Sequence, residues 1–107
     1  MEILMVRDAS EWRNWLAAHG ESVGEVWLVL AHKGVPGVRY VAAVEQALCF
    51  GWIDGLHRKH DAGHSRLRFT PRRARSSWSA LNRERADRLI AQGLMTAAGL
   101  AAFERAG

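Results

Sequence analysis

A chain of 107 residues is long enough to bury one hydrophobic core and too short for two, and its apolar share of 49% with five tryptophans excludes a disordered protein. Its longest apolar runs are far too short to cross a bilayer, and one cysteine cannot form an internal disulfide. We therefore expect a single domain over 1–107 in the reducing cytoplasm, without membrane insertion and with Cys49 packed as a small hydrophobe.

The formal charge of +4 is unevenly distributed. The segment 56–75 contains seven lysines and arginines and one aspartate. Its net charge is therefore +6, and that of the rest of the chain is −2. A local cationic surface of this kind attracts nucleic acid, acidic lipid or an acidic protein.

The first predicted element is a helix over about 9–19. Asp8 and Glu11 have the spacing of a capping box, and Gly20 is placed to end the helix in the left-handed conformation. The face that we expect to be buried consists of Trp12, Trp15, Leu16 and His19.

A buried strand over about 25–32 follows, because the segment is short and rich in β-branched and aromatic residues. Gly34, Pro36 and Gly37 end this strand. Helical spacing returns over about 40–50, and Gly51 stops the second helix.

Two candidate strands, about 52–59 and 66–70, are separated by the turn composition of residues 61–63 and form an antiparallel hairpin. Leu67 and Phe69 should face one side of the sheet and Arg66 and Arg68 the other.

Ser76 or Ser77 is predicted to cap a third helix that runs to about Gln92. Its predicted buried stripe is Trp78, Leu81, Ala86, Leu89 and Ile90. Thr96 starts a last helix through about Arg105. The element order is α-β-α-β-β-α-α, an α+β fold with a small sheet of about three strands packed by helices.

The strongest chemical signal is the segment 71–78, in which a proline turn, three arginines and a helix start make a plausible anion site. Arginine supplies a planar fork that suits phosphate, sulfate or carboxylate. The alternative is a structural role, in which some of these arginines stack on Trp52 or Trp78 and cap carbonyl groups, while the remaining arginines are solvated.

Asp54 follows Trp52 and Ile53, and we expect it to meet the turn at Arg72 and Arg73. Pairing with a guanidinium is favoured over service as a general base, which would require a second titratable group in a shared cleft.

The residue types of His57, His60, Asp61 and His64 are those of metal ligands. However, His57 and His60 are three positions apart and would point to opposite faces of a strand, so we expect solvated turn histidines, with no metal and no cofactor.

Single-stranded nucleic acid is a further alternative, because basic and aromatic residues interleave over 66–69 and 72–78. No helix-turn-helix, zinc-knuckle or RNP-like signature accompanies the charge.

Several motifs resemble the YdeI/OmpD-associated protein family, also described as bacteriocin-protection proteins. The resemblance rests on Leu-Cys-Phe-Gly-Trp-Ile-Asp-Gly at 48–55, on Phe-Thr-Pro-Arg-Arg at 69–73, and on Ser76, Trp78, Ser79 and Asn82. It covers nearly the whole chain. Members of that family continue into a further helical segment beyond the position of Gly107, so the likeness is to their N-terminal portion and any activity of that segment should be absent here.

The resemblance implies a binding or stress-tolerance role linked to protection against bacteriocins or antimicrobial peptides, with no agreed catalytic residues. We therefore expect a non-enzymatic module that binds an anionic small molecule or an acidic protein surface. A small enzyme doing acid-base chemistry on an anionic substrate is the alternative. The predicted ligand-binding residues are Trp52, Asp54, Arg72, Arg73, Ser76, Trp78 and Asn82.

Overall fold

The computed structural model describes residues 2–73 and 78–106. In chain order its elements are β1 (Ile3–Leu4), α1 (Ala9–His19), β2 (Val26–Ala31), α2 (Tyr40–Cys49), β3 (Trp52–Asp61), β4 (His64–Pro71), α3 (Ala80–Ala91) and α4 (Ala97–Ala106). The predicted α+β class is confirmed, and the predicted order matches once β1 is placed before it.

The sheet has four strands in the order β1-β2-β4-β3, rather than about three. The additional strand, β1, pairs parallel to β2 through Ile3 opposite Trp27 and Leu4 opposite Leu28. Two residues are too few to show the alternation by which a strand is recognised in sequence. The predicted hairpin is present as the antiparallel pair β3–β4, and β4 is also antiparallel to β2.

The two faces of the sheet differ as predicted. Leu67 and Phe69 of β4 are at most 1% exposed and belong to the core that the helices cover. Arg66 and Arg68 alternate with them and therefore project from the opposite face.

Aromatic rings join α1 to the sheet and to α2. The Trp12 ring stacks on Trp15 with centroids 5.5 Å apart and lies 5.1 Å from the ring of Phe69. Its Nε1 donates to the carbonyl oxygen of Ala43 at 3.0 Å, so the buried indole has a hydrogen-bond partner in α2.

Helix α1 has the predicted bounds, and Asp8 caps it by accepting from the Glu11 N–H at 2.9 Å. The left-handed conformation predicted for Gly20 is wrong, since its φ is −62°. Glycine is required there for space: a Cβ would lie 2.5 Å from the carbonyl oxygen of Leu16. Gly51, which follows α2, does have a positive φ of +76°, and the chain reverses there between α2 and β3.

Helix α3 begins later than predicted. Ser79 is its N-cap and accepts from the Asn82 N–H at 3.1 Å, whereas the predicted caps at 76 and 77 lie outside the described residues. Ala86 and Leu89 are buried, but Leu81 is 55% exposed and Ile90 is 38% exposed, so the predicted buried stripe is too wide. The reason is that α3 packs mainly against α2, and one helix covers a narrower stripe than a sheet does.

Within residues 2–73 and 78–106, no helix is both long enough and apolar enough to cross a bilayer.

Candidate functional site

Six described side chains from five parts of the fold meet at one end of the sheet, and we call them the Asp54–Arg72 cluster. Asp54 comes from β3, Arg72 follows β4, and Trp78 precedes α3. Among the residues that the structure describes, the cluster consists of Tyr40, Asp54, Arg72, Trp78, Asn82 and Arg85.

Arg72 is the charged centre of this cluster. Its side chain is 8% exposed, and its Cζ lies 3.8 Å from the centroid of the Trp78 ring, a cation–π distance. Its backbone N–H donates to the carbonyl oxygen of Gly51 at 2.9 Å, which ties the residue to the turn between α2 and β3. Burial lowers the pKa of Arg72 from its ordinary value, and the negative charge of Asp54 opposes that shift.

Trp78 is itself held by the last helix. Its ring meets Phe103 of α4 edge to face, with centroids 5.1 Å apart. The stack Arg72–Trp78–Phe103 therefore gives the guanidinium an orientation that depends on the docking of α4.

Tyr40 and Asp54 form the second part of the cluster. The Tyr40 hydroxyl donates to Oδ2 of Asp54 at 3.2 Å. Burial raises the pKa of Tyr40, the adjacent Asp54 carboxylate raises it further, and Arg85 acts in the opposite direction. The hydroxyl therefore remains a proton donor to Asp54 at neutral pH.

Arg85 and Asn82 complete the cluster on α3. The Arg85 guanidinium donates to Oδ1 of Asn82 at 3.1 Å. The spacing of three residues places both side chains on the same face of the helix.

Of the seven predicted site residues, the structure brings four together, places two elsewhere and does not describe the seventh. Asp54, Arg72, Trp78 and Asn82 belong to the cluster, in which the negative charge of Asp54 raises the pKa of Arg72 against the effect of burial. Trp52 lies in the core, where it is 1% exposed.

The indole of Trp52 is held by structural contacts. Nε1 donates to the carbonyl oxygen of Gly20 at 3.2 Å, and the ring meets Trp15 edge to face. Arg73 is exposed beside the cluster, and Ser76 lies outside the described residues.

Two members of the cluster are not among the residues that the sequence predicts. The pattern around Tyr40 indicates only the start of a helix, and that around Arg85 only a solvated helix face. The available signal for Tyr40 is that it is the single tyrosine of the chain, but only the fold places it against Asp54.

The rings of His60 and His64 lie 6.5 Å apart near the hairpin turn, but the histidines there make separate hydrogen bonds. His57 pairs opposite Leu67 and accepts or donates a hydrogen bond with Ser65 Oγ at 2.8 Å, whereas His64 bonds Oδ1 of Asp61 at 2.8 Å. Among the side chains that the structure describes, no group of three or more His, Cys, Asp or Glu residues is arranged to hold a metal ion.

A family model described as a domain of unknown function (DUF8412) matches residues 4–102. The chain belongs to this family. The DUF8412 match contains the whole Asp54–Arg72 cluster and both strands of the hairpin. Comparison with curated proteins and with solved structures gives no match.

Proposed function

We propose that this DUF8412 domain is a non-enzymatic binding module whose Asp54–Arg72 cluster takes an anionic group. The observation that supports the proposal is the desolvated guanidinium of Arg72, fixed at 3.8 Å from the Trp78 ring. A guanidinium removed from water attracts an anion more strongly than one on an open surface.

Pre-organisation adds to this attraction. The stack on Trp78 and the backbone bond to Gly51 already restrain Arg72, so less side-chain entropy is lost when a ligand binds. A planar guanidinium held in this way suits the two oxygens of a carboxylate or phosphate.

The charges around the cluster determine which sign of charge the ligand can carry. Arg72, Arg85 and the adjacent Arg73 outnumber Asp54, so the site as a whole favours an anion. The negative charge of Asp54 acts on Arg72 and would repel an anion that approached from its side, so we expect the ligand to approach from the side of the other arginines.

The ligand class is a carboxylate or phosphate, carried by a small molecule or by an acidic patch of a partner protein. The resemblance to the YdeI/OmpD-associated family connects such a module to bacteriocin or antimicrobial-peptide protection. Since cationic peptides are repelled by this cluster, we propose an acidic component of that response as the direct contact.

The test is a thermal-shift screen of inorganic phosphate, nucleotides and a polyglutamate peptide, followed by calorimetry. A ligand at 100 times its dissociation constant stabilises the fold by about 2.7 kcal/mol. We expect that shift in the native protein and in Arg39→Gln, which removes an exposed arginine at the start of α2.

The informative variants are Arg72→Lys and Arg85→Gln. Arg72→Lys keeps the charge but removes the planar fork, and Arg85→Gln removes a charge from an accessible helix. Both should lose most of the shift. Equal shifts in all four proteins, or no shift with any anion, would contradict the proposal.

A small enzyme is a second proposal, favoured by the hydrogen bond between Tyr40 and Asp54 beside two arginines. Such a pair can hold or move a proton on a bound substrate. Turnover distinguishes the two proposals: a binding module leaves the anion found in the screen unchanged, whereas an enzyme converts it and loses that turnover in Tyr40→Phe.

A further inference from the structure

The face of the sheet opposite the helices is built differently from the core. On β2, Trp27, Val29 and Ala31 alternate with residues of the main core and are buried without belonging to that core cluster. They form an apolar floor, and β4 and β3 add arginines beside it. We call Trp27, Val29, Arg58, Arg66 and Arg68 the outer sheet face.

Two of these arginines lie directly opposite each other. Arg58 of β3 pairs with Arg66 of β4, so both project from the outer sheet face. Side chains opposite each other in an antiparallel pair have Cβ atoms roughly 5 Å apart, and like charges at that spacing destabilise the sheet. An anion between the two guanidinium groups would remove this repulsion.

The nearby acidic groups are occupied elsewhere. Glu25 receives a hydrogen bond from Nε of Arg68 at 2.7 Å, which lowers the pKa of Glu25. Asp61 is bonded to His64 at 2.8 Å. Across the described ranges of the chain, no carboxylate forms an ion pair with Arg58 or Arg66.

Arg66 also has a hydrogen-bond donor that is not satisfied. Its Nε is buried and has no hydrogen-bond partner among the described residues, while its Cζ lies 5.7 Å from the centroid of the Trp27 ring. A buried donor without a partner is destabilising, so a ligand oxygen that reached it would bind favourably.

We infer that the outer sheet face binds single-stranded nucleic acid, with backbone phosphates held between Arg58 and Arg66. The Asp54–Arg72 cluster is a separate site, because Trp78 belongs to the core on the helix side. Proteins that bind single strands without sequence preference combine a cationic path for the backbone with aromatic or planar groups on which bases stack.

An acidic peptide fits the same surface less well. The cations of this face are arginines, whose planar groups stack on bases and bind phosphate oxygens in pairs. An apolar recess of about 260 Å³, lined in part by Val29, Ala31 and His64, borders the face. A base can occupy such a recess, whereas a glutamate side chain cannot do so without losing its solvation.

The experiment is fluorescence anisotropy with labelled single-stranded DNA and RNA of mixed sequence, titrated at several salt concentrations. Removing one phosphate interaction with a single strand reduces the slope of log K against log salt by about 0.7, so Arg58→Gln/Arg66→Gln should reduce it by about 1.4. In 0.1 M salt the same change weakens binding about 25-fold.

The matched control is Arg39→Gln/Arg105→Gln, which removes the same net charge from positions at the start of α2 and near the end of α4. Arg58→Gln alone, at an exposed position, should reduce the slope by about 0.7 and serves if the double variant folds poorly. Affinity in Arg72→Lys should equal that of the native protein.

Three results would overturn the inference. They are equal slopes in the double variant and its control, a polyglutamate peptide that competes as well as an oligonucleotide of equal charge, and binding of inorganic phosphate alone with no gain from a longer strand. A reduced slope in the double variant, with binding retained in the control, supports it.

Discussion

Alanine in place of Gly99 tests how strictly α4 is docked on the rest of the fold. Gly99 lies in the first turn of α4, against the end of α2. A Cβ at this position would be 2.2 Å from the carbonyl oxygen of Cys49 and 3.0 Å from that of Leu48. Both atoms are backbone, so no side-chain rotation can relieve the overlap.

The loss of stability depends on how far α4 must move to make room for the added Cβ. To reach ordinary contact at 3.4 Å, the helix must shift away from α2 by about 1.2 Å. That shift strains the hydrogen bonds that the Thr96 N–H and hydroxyl donate to the Cys49 carbonyl oxygen. Overpacking of this kind costs about 1–3 kcal/mol, while the gain in helix propensity from glycine to alanine returns at most about 1 kcal/mol.

We therefore expect Gly99→Ala to lower the free energy of unfolding by about 1–2 kcal/mol, which at a urea m-value of about 1.5 kcal/mol/M moves the midpoint down by about 0.7–1.3 M. The same variant should weaken anion binding at the Asp54–Arg72 cluster, because Phe103 of α4 supports the Trp78 ring.

Gly24→Ala is the matched control. A Cβ there has no neighbour within 4 Å, so its unfolding free energy should stay the same or rise by about 0.5 kcal/mol. If Gly99→Ala unfolds at the same urea concentration as the native protein, the docking of α4 described above is wrong.

Three further predictions concern single side chains. Burial raises the pKa of Cys49, so iodoacetamide at pH 8 should leave the native thiol unmodified and label it in urea, as mass spectrometry would show; labelling at equal rates would contradict its burial. Ser79→Ala removes the N-cap of α3 and should cost about 1 kcal/mol in urea unfolding, with an exposed substitution such as Leu81→Gln as the neutral control. The hydrogen bond from His64, with a smaller effect from the Gly63 N–H, holds the pKa of Asp61 below its ordinary value of 3.8. The Asp61 carboxylate therefore stabilises the fold fully above about pH 4, and this stabilisation is lost as the pH falls through the pKa that Asp61 has in the folded protein. The melting temperature of Asp61→Asn should thus approach that of the native protein between pH 5 and pH 2, and a constant difference would contradict this role.

Some helices and strands could be predicted because their own residues contain the pattern that defines them. The six consecutive buried residues of β2 were predicted from a short apolar β-branched run, and the bounds of α1 followed from Asp8 and the spacing of its tryptophans. The hairpin was predicted because its turn residues and the alternation of arginine with Leu67 and Phe69 lie within one segment.

The candidate site was only partly predictable. Arg72 and Trp78 are close in sequence and were expected near one another, but Tyr40 joins Asp54 across 14 positions, through the packing of α2 on β3. Trp52 and Trp78 are both tryptophans beside charged residues. Both rings are buried in the core, and only the tertiary structure places Trp78, rather than Trp52, beside Arg72.

The sequence by itself determined the α+β class, the hairpin, the local concentration of positive charge and the alternation that separates apolar from basic residues on β4. These properties depend on neighbours within a few residues. The tertiary structure decided that β1 joins the sheet, that Trp52 is core, and that Arg58 lies opposite Arg66. Such contacts depend on strand register and helix docking, which bring together residues far apart in the chain. They cannot be recognised from the local periodicity of the sequence.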